Sequence, residues 1–223
     1  MQTGYFPFDG NDVETRKQIA LLHSQMIPYG PVPRLGHDFM CDTYYKILPS
    51  SGWLKCEAYS HEGKVIGFFS SAREEGSLLK ALGLLRFFKL GVGILKTVAC
   101  SPRRLMVVLE LLRRSPPKHR IGAVELLSFG VYPEFRNFFD PATGKRVSLL
   151  LFENCMKAWK ARGMKTVFCR VKRDNLPVLL FYKNYGATIC SHEDDSTSFE
   201  IEFDMDAWKV SDDSQKGGKV GKS

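Results

Sequence analysis

The segment PATGKR, at positions 141–146, has the residue types to bind a charged ligand. It precedes a predicted helix that begins near Val147. A loop that opens a helix presents unpaired backbone N–H groups and the positive end of the helix dipole, an arrangement that binds phosphate or pyrophosphate. Gly144 would let the backbone approach such a ligand closely, and Lys145 and Arg146 add charge. The alternative is an ordinary loop with a glycine at a helix start.

The elements that must position this loop follow from the apolar pattern on either side of it. Apolar runs bounded by glycine or proline predict strands, and apolar residues at helical spacing predict helices. In chain order we predict a strand at 123–131, a helix at 147–164, a strand at 165–172, a short helix at 175–186 and strands at 187–190 and 197–205. The loop therefore belongs to a unit of strand, loop, helix, strand and short helix.

The front part of the chain predicts two helices and a hairpin. A helix at 12–27 begins with Asp12 as its cap, and a Pro- and Gly-rich loop separates it from a second helix at 37–48. Two short strands follow, at 53–60 and 64–72, joined by a turn that contains Gly63.

Cysteine and histidine spacing gives no metal site. No two of the six cysteines are closer than 14 residues, and the five histidines show no i, i+4 pair. We expect reduced, partly buried thiols. No uncharged apolar run approaches the roughly 20 residues of a membrane span, and the N-terminus lacks a secretory pattern. These features predict a cytoplasmic protein.

The net charge of +8 is concentrated in one segment. Residues 77–120 contain ten Lys or Arg and one acid, Glu110, so they carry +9, while the rest of the chain, with 22 basic and 23 acidic residues, carries −1. A basic patch attracts phosphates on a membrane, a nucleic acid or a cofactor. Nucleic acid is not favoured, because the charge is confined to this segment and no recognition motif accompanies it.

The basic segment forms an insert, residues 74–120, that is apolar as well as charged. Glycines punctuate its first part at 83, 91 and 93, and 101–114 predicts a helix capped by Ser101. One interpretation is extra helices that pack on the sheet and keep Lys and Arg solvated. The other is a patch that receives a phosphorylated or membrane-borne acceptor.

Two stretches of the unit resemble the GNAT superfamily of acyl-CoA-dependent N-acyltransferases. Residues 126–136, LLSFGVYPEFR, are similar to the family's strand pattern hxxVxPxxR, and residues 175–187, NLPVLLFYKNYGA, to its N-x-x-A-x-x-h-Y-x-x-x-G-F helix. The hairpin strand GKVIGFFSS, at 63–71, is also similar to the family. The resemblance covers most of the chain outside the insert and the tail.

The resemblance implies an α/β (α+β) fold, with a mixed, mostly antiparallel central sheet splayed in the middle, flanking helices and a helical insert. It implies one domain at 1–209 and a tail at 210–223, whose Gly- and Lys-rich composition predicts disorder. The strand would carry a bulge, for which Gly130 is suited. The family builds its acceptor pocket on the second helix, here 37–48.

The resemblance also implies which residues would bind acetyl-CoA. Backbone groups of Phe129 and Val131 would hold the pantetheine arm, together with Asn175. In the family's Q/R-x-x-G-x-G/A loop, Phe139 takes the polar Q/R position and Ala142 the first glycine. The residues that would contact the pyrophosphate are Phe139, Ala142, Thr143, Gly144, Lys145 and Arg146.

Two residues would carry the chemistry under this resemblance. Tyr182 takes the position of the acid that protonates the leaving thiolate, and its phenol is protonated at neutral pH. Glu125 takes the position of a general base; alternation along the strand puts it on one face with Leu127, Phe129 and Val131. The alternatives are a packed aromatic for Tyr182 and a partly exposed strand residue, paired with a lysine, for Glu125.

The sequence therefore supports two functional hypotheses. The first is an N-acetyltransferase that moves acetyl from acetyl-CoA to a small amine acceptor without a metal. The stretch around Arg34-Leu35-Gly36 and the later basic helices resemble bacterial GNAT proteins of surface-polysaccharide synthesis, which implies an amino sugar as acceptor. The second is a non-catalytic CoA-binding protein, or a peripheral membrane protein that uses residues 77–120. The sequence does not determine the oligomeric state.

Overall fold

The computed structural model describes residues 3–73, 78–113, 122–190 and 197–209. The predicted disordered tail at 210–223 lies outside these residues, as do both ends of the insert.

The described residues form one seven-stranded mixed sheet, in the order β1-β2-β3-β4-β5-β7-β6. Every neighbouring pair is antiparallel except β4 and β5, which confirms the predicted fold class. The strands are β1 (Gly4–Phe8), β2 (Leu54–His61), β3 (Lys64–Arg73), β4 (Ala123–Val131), β5 (Thr166–Lys172), β6 (Thr188–Cys190) and β7 (Ser198–Asp204).

The sheet opens between β4 and β5. These two strands pair only at their beginnings, over three residue pairs that end with Glu125 opposite Phe168. Beyond that point β4 continues along β3 to Val131, and β5 continues along β7 to Lys172. The two halves of the sheet therefore diverge, as the predicted splay requires.

The bulge in β4 lies at Leu127, not near Gly130 as predicted. The β3 register changes between Ser70, which is opposite Ser128, and Ser71, which is opposite Leu126, so Leu127 has no partner. Gly130 serves a different purpose. A Cβ there would lie 3.0 Å from Met26 and 3.1 Å from Phe68, so glycine lets helix and sheet approach closely.

Helices cover both faces of the sheet, and their bounds broadly match the sequence pattern. The main differences are α2, which forms inside the predicted loop, and a π-helical turn at Met40–Tyr44 that interrupts the second predicted helix. The helices are α1 (Val13–Met26), α2 (Pro31–Arg34), α3 (His37–Phe39), α4 (Tyr45–Ser50), α5 (Leu78–Cys100), α6 (Arg104–Arg113), α7 (Val147–Lys160) and α8 (Leu176–Asn184).

The two faces of the sheet are identified by neighbouring serines of β3. Ser71 Oγ accepts a hydrogen bond from the Trp159 indole of α7. Ser70 pairs with Ser128, whose hydroxyl lies 3.2 Å from His23 of α1. Because successive strand residues point to opposite faces, α7 and α1 cover opposite faces of the sheet.

The insert packs mainly on other helices, whereas one sequence interpretation placed it on the sheet. α5 contacts α3, α4 and the π turn, and α6 contacts α2 and α5. Gly83 has φ 71° and bends α5 near its start, whereas Gly91 and Gly93 continue the helix. The insert thus forms a third layer outside the α1 face.

Candidate functional site

The two residues predicted to carry chemistry lie on opposite faces of the sheet near the point where β4 and β5 separate. Glu125 belongs to the last pair that joins the strands. Cys169 is the first residue of β5 beyond that pair, and its thiol is hydrogen-bonded to the Tyr182 side chain. We call this point the vertex of the splay.

Tyr182 is a buried phenol at the vertex. Only 4% of the residue is exposed, and its ring packs against Phe152 of α7 and Phe203 of β7. Burial, followed by the neighbouring Cys169, raises the pKa of the phenol well above its ordinary value. The hydroxyl therefore keeps its proton at neutral pH and can donate it.

Glu125 approaches the vertex from the other face of the sheet. It pairs with Ala72, the residue after Ser71, and directly opposite residues share a face. Since Ser71 faces α7, Glu125 faces the α1 side, where it interacts electrostatically with Tyr44. The predicted common face for Glu125 and Phe129 is therefore wrong, because the bulge at Leu127 breaks the alternation.

Phe129 and Val131 lie on the α7 side of β4, past the vertex. The Phe129 ring contacts those of Phe69 at 5.1 Å and Phe181 of α8 at 5.8 Å. Val131 lies beside Gly67, which α7 also approaches closely. The β4 side of the opening is thus lined by apolar groups and strand backbone, as a pantetheine arm would require. Pantetheine binding by these residues stays a prediction.

The predicted pyrophosphate loop is a closed turn organised by a residue that sequence analysis missed, Asp140. Its buried carboxylate accepts hydrogen bonds from the Tyr59 hydroxyl at 2.6 Å and from the Thr143 backbone N–H at 2.8 Å. Burial opposes ionisation, but the hydrogen bonds from Tyr59 and Thr143 outweigh it and lower the pKa of Asp140. The carboxylate therefore stays charged and fixes the turn.

Several donors of this loop are satisfied by the loop itself. The Gly144 N–H bonds the Asp140 carbonyl at 2.8 Å, and the Val147 N–H bonds the Phe138 carbonyl at 3.0 Å. Gly144 has φ 66°, a backbone conformation that favours glycine. Ala142 also donates its N–H to Asp140. Pyrophosphate binding by 142–147 stays a prediction, and it would have to compete with these bonds.

The two cations of the loop have different surroundings. Lys145 Nζ lies 2.7 Å from the buried carboxylate of Glu153 on α7, so its charge is balanced within the protein. The Arg146 side chain is exposed, and its guanidinium stacks 5.7 Å above the exposed Phe139 ring. Arg146 is therefore the loop cation better placed to meet an anion.

Asn175 follows the end of β5 and begins α8. Its carbonyl accepts the first helical bond, from the Leu179 N–H at 3.1 Å, and its side chain makes no capping hydrogen bond. Its predicted role toward pantetheine stays a prediction.

A second polar group that the sequence did not reveal is buried beneath β4, on the α1 side. His23 Nδ1 lies 2.7 Å from the Tyr45 hydroxyl, and Nε2 lies 3.2 Å from the Ser128 hydroxyl. Burial lowers the pKa of His23 to about 4. The ring is therefore neutral at pH 7, with one nitrogen accepting and the other donating. No local signal could have found this group, because its members are 22 and 105 positions from His23.

Among the described residues, no three His, Cys, Asp or Glu side chains are grouped so that they could hold a metal ion. In the same part of the chain, no helix has the length and apolarity to cross a bilayer.

Comparison with known proteins identifies the fold. No family model matches the sequence, and no curated protein matches it. Among solved structures, an aminoglycoside 6′-acetyltransferase type Ii has a TM-score of 0.54 at 12% identity, over 90% of this chain and 96% of its own. An N-acetyltransferase from Staphylococcus aureus Mu50 has a TM-score of 0.54 at 11% identity, over 91% and 99%.

A third structure, from Desulfovibrio desulfuricans and assigned to the GNAT family of acetyltransferases, has a TM-score of 0.51 at 9% identity, over 92% of this chain and 99% of its own. At these identities the likeness is one of fold. The chain has the GNAT fold of the N-acetyltransferases, with the insert packed on its α1 side.

Proposed function

We propose that this protein is an acetyl-CoA-dependent N-acetyltransferase acting on a primary amine. The observation that carries the proposal is the opening between β4 and β5, with a buried, protonated tyrosine at its vertex. An extended thioester arm fits an opening of this kind, because unpaired strand backbone can bond its amides.

The reaction is a direct transfer. The amine nitrogen attacks the thioester carbonyl carbon, the C–N bond forms, and the C–S bond breaks. The nitrogen loses a proton to a base, and the departing sulfur takes a proton from an acid. The products are an N-acetyl amide and CoA with a free thiol.

Tyr182 is the proposed acid. Its phenol is held at the vertex by Cys169 on β5 and by the rings around it. A proton donor must reach the sulfur where the arm ends, and the vertex is the end of the opening. The phenol is protonated at neutral pH, so it can supply the proton when the thiolate develops, although burial, by raising its pKa, makes it a weaker acid than an exposed phenol.

Glu125 is the proposed base. It reaches the vertex from the α1 face, opposite Tyr182. This arrangement separates the two proton transfers on the two faces of the sheet. The amine would then approach from the α1 side and the thioester would lie in the opening between the strands.

Two observations favour the alternative of a non-catalytic protein. The loop proposed to bind the pyrophosphate closes around the buried carboxylate of Asp140, and its Lys145 is paired with Glu153. Under the catalytic proposal, the pyrophosphate is bound by Arg146 and by the first-turn N–H groups of α7 that follow Val147, whose own N–H bonds Phe138.

The first test is a calorimetric titration with acetyl-CoA at modest salt. We expect micromolar binding that Arg146→Glu weakens strongly, because the substitution replaces the exposed loop cation with an anion. Arg162→Glu is the matched control: the same charge change at an exposed residue that stacks on Trp159, after α7. Absence of binding to acetyl-CoA and to longer acyl-CoAs would overturn the proposal.

The second test measures release of the CoA thiol with a panel of primary amines. The panel includes amino sugars, the acceptor class that we propose from the sequence resemblance. We expect thiol release to depend on one acceptor class. Tight CoA binding without release for any amine would favour the non-catalytic alternative.

A further inference from the structure

Large apolar side chains are exposed mainly on the insert. Fifteen large hydrophobic residues are exposed among the described residues, and eight of them lie between positions 84 and 106. They belong to only two helices, α5 and α6. We call them the insert apolar surface: Leu84, Leu85, Phe87, Phe88, Val92, Leu95, Leu105 and Met106. A concentration of exposed apolar side chains of this kind is typical of an interaction site.

The apolar side chains of α5 form two separate stripes. At 100° per residue, Leu84, Leu85, Phe88, Val92 and Leu95 share an arc of about 100°. On nearly the opposite side lie the buried Leu90 and Thr97, which pack against the protein. The inner stripe already supplies the contacts that hold the helix. The outer stripe is therefore not needed for packing within the described residues.

Positive charge borders the outer stripe. Lys89 and Lys96 fall beside it, at about 120–140° from Leu84 at 100° per residue, and both are exposed. Arg86 and Arg103 are also exposed, but Arg86 falls at about 200° from Leu84, on the side of the buried stripe. The single acid of residues 77–120 is Glu110.

Glu110 does not offset this charge at the surface, because its carboxylate pairs with Arg34 of α2 at 2.6 Å. The apolar surface is thus bordered by cations.

The insert presents this surface on a packed platform. A Cβ at Gly93 would lie 2.4 Å from the Thr43 hydroxyl, so α5 rests directly on the π turn. The Arg104 guanidinium lies against Gly36, and Val107 of α6 is buried. These contacts fix the orientation of the outer stripe relative to the body of the protein.

We propose that the insert apolar surface docks on an anionic lipid bilayer. The outer stripe of α5 would enter the boundary between headgroups and acyl chains, and the lysines beside it would reach the lipid phosphates. Lys and Arg side chains close to an anionic membrane surface are attracted to it by its negative potential. The helix lies on the membrane and does not cross it.

The charge distribution favours lipid over a second copy of the chain. A symmetric dimer formed through this surface would bring the cations of one copy against those of the other. The exposed apolar stripe favours lipid over nucleic acid, since phosphate-backbone binding needs charge and gains little from leucine and valine.

The test is sedimentation of the full chain with vesicles. One set is phosphatidylcholine alone, and the other contains about a third phosphatidylglycerol to supply the negative surface potential. We expect binding to the anionic set that weakens as salt is raised. Vesicle binding is measured without CoA and without turnover. The membrane proposal can therefore fail while the proposed function holds, and the proposed function can fail while the membrane proposal holds.

Two pairs of variants separate the apolar and the charged contributions. Leu85→Ser with Leu95→Ser should weaken binding about tenfold or more, because both side chains leave the acyl boundary. The control is Val13→Ser with Leu21→Ser, two exposed apolar residues of α1. Lys89→Glu with Lys96→Glu should weaken it about 30-fold or more. Its control is Lys46→Glu with Lys183→Glu, both exposed outside the insert.

Three outcomes would overturn the proposal. The first is equal binding to neutral and anionic vesicles, or none to either. The second is equal weakening by the insert variants and their controls. The third is a concentration-dependent dimer in light scattering that Leu85→Ser with Leu95→Ser abolishes, which would assign the surface to a second copy. Thermal unfolding of each variant confirms that it is folded.

Discussion

Burial keeps individual side chains of this protein in one protonation state. The Tyr182 phenol is surrounded by aromatic rings and one thiol, and its pKa rises, so it stays a proton donor. The same effect acts in the opposite direction on His23, because the charged form of an imidazole is the protonated one. A tyrosine and a histidine buried on opposite faces of the sheet are thus both neutral at pH 7.

Tyr182→Phe tests the acid role at the scale of one atom. The change removes the hydroxyl and leaves the ring packing, so we expect kcat to fall by about 10²-fold or more, the usual contribution of a general acid. Binding of acetyl-CoA should change little in calorimetry.

Tyr185→Phe, near the end of the same helix, is the control for Tyr182→Phe. It should keep most of the wild-type turnover. If Tyr182→Phe turned over as fast as wild type, the acid role would be wrong.

His23 predicts acid sensitivity of the fold. Its folded pKa, about 4, is below the unfolded value of about 6.5. The unfolded chain therefore binds the proton more readily, and stability is lost as pH falls from about 6.5 toward 4. Between about pH 7 and about pH 5 this costs about 2 kcal/mol, since one pKa unit is about 1.4 kcal/mol.

The measurement is urea unfolding of wild type and His23→Gln at both pH values. Glutamine can hydrogen-bond Tyr45 and Ser128 but does not titrate. The wild type should lose about 2 kcal/mol more than the variant. Equal losses would show that His23 is not the group that titrates.

At the scale of elements, two glycines in α5 have different surroundings. Gly93 meets the π turn at Thr43, where a Cβ would lie 2.4 Å from the hydroxyl and 2.5 Å from the methyl group. Gly91 has open space at the Cβ position. Both glycines lie inside the helix, so the contact with the π turn is the difference between the two positions.

Alanine at these two positions should have opposite effects. Gly93→Ala forces α5 away from the π turn and should destabilise the fold by about 1–3 kcal/mol, the usual cost of overpacking. Gly91→Ala should stabilise it by about 0.5–1 kcal/mol, because alanine favours helix. Chemical denaturation measures both. A stabilising Gly93→Ala would contradict the close contact between α5 and the turn.

At the scale of the whole molecule, α7 joins the two halves of the splayed sheet. The strands β4 and β5 share only three residue pairs, so the halves need other contacts. Phe152 of α7 provides them: its ring lies 6.4 Å from Phe69 in the first half and 5.4 Å from Phe203 in the second. An opening for a ligand is thereby kept without dividing the core.

Phe152→Ala should loosen this connection. The side chain is fully buried, so we expect a loss of about 3–5 kcal/mol. The rate of hydrogen exchange should increase more in β5 and β7 than in β2 and β3. The reason is that α7 also packs on β2 and β3, so those strands keep other contacts with the helix. Leu180→Ala, at a residue that is 58% exposed, should change stability by no more than about 0.5 kcal/mol. Equally faster exchange in both halves would contradict the bridging role.

Local signals in the sequence determined most of the elements. β4 has the predicted bounds, because Gly122 and Pro133 flank an apolar run. Asp12 caps α1 through its carboxylate, as its position predicted. The short β1 was missed, because its only pairing is with β2, about 50 positions away. The motif resemblance predicted the fold class and named Tyr182, which the structure places at the vertex.

Tertiary structure alone decided the details of the candidate site. The bulge at Leu127 moved Glu125 to the α1 face, and a bulge depends on pairing with β3, not on the bulged strand alone. Asp140 bonds Tyr59 across 81 positions, and a sequence window cannot see such a partner. The sequence does not show which apolar stripe of α5 is exposed; the structure decides this by burying the opposite stripe. Periodicity and capping depend on residues that are neighbours in the sequence. Register, burial and charge environment depend on which distant residues the fold brings into contact.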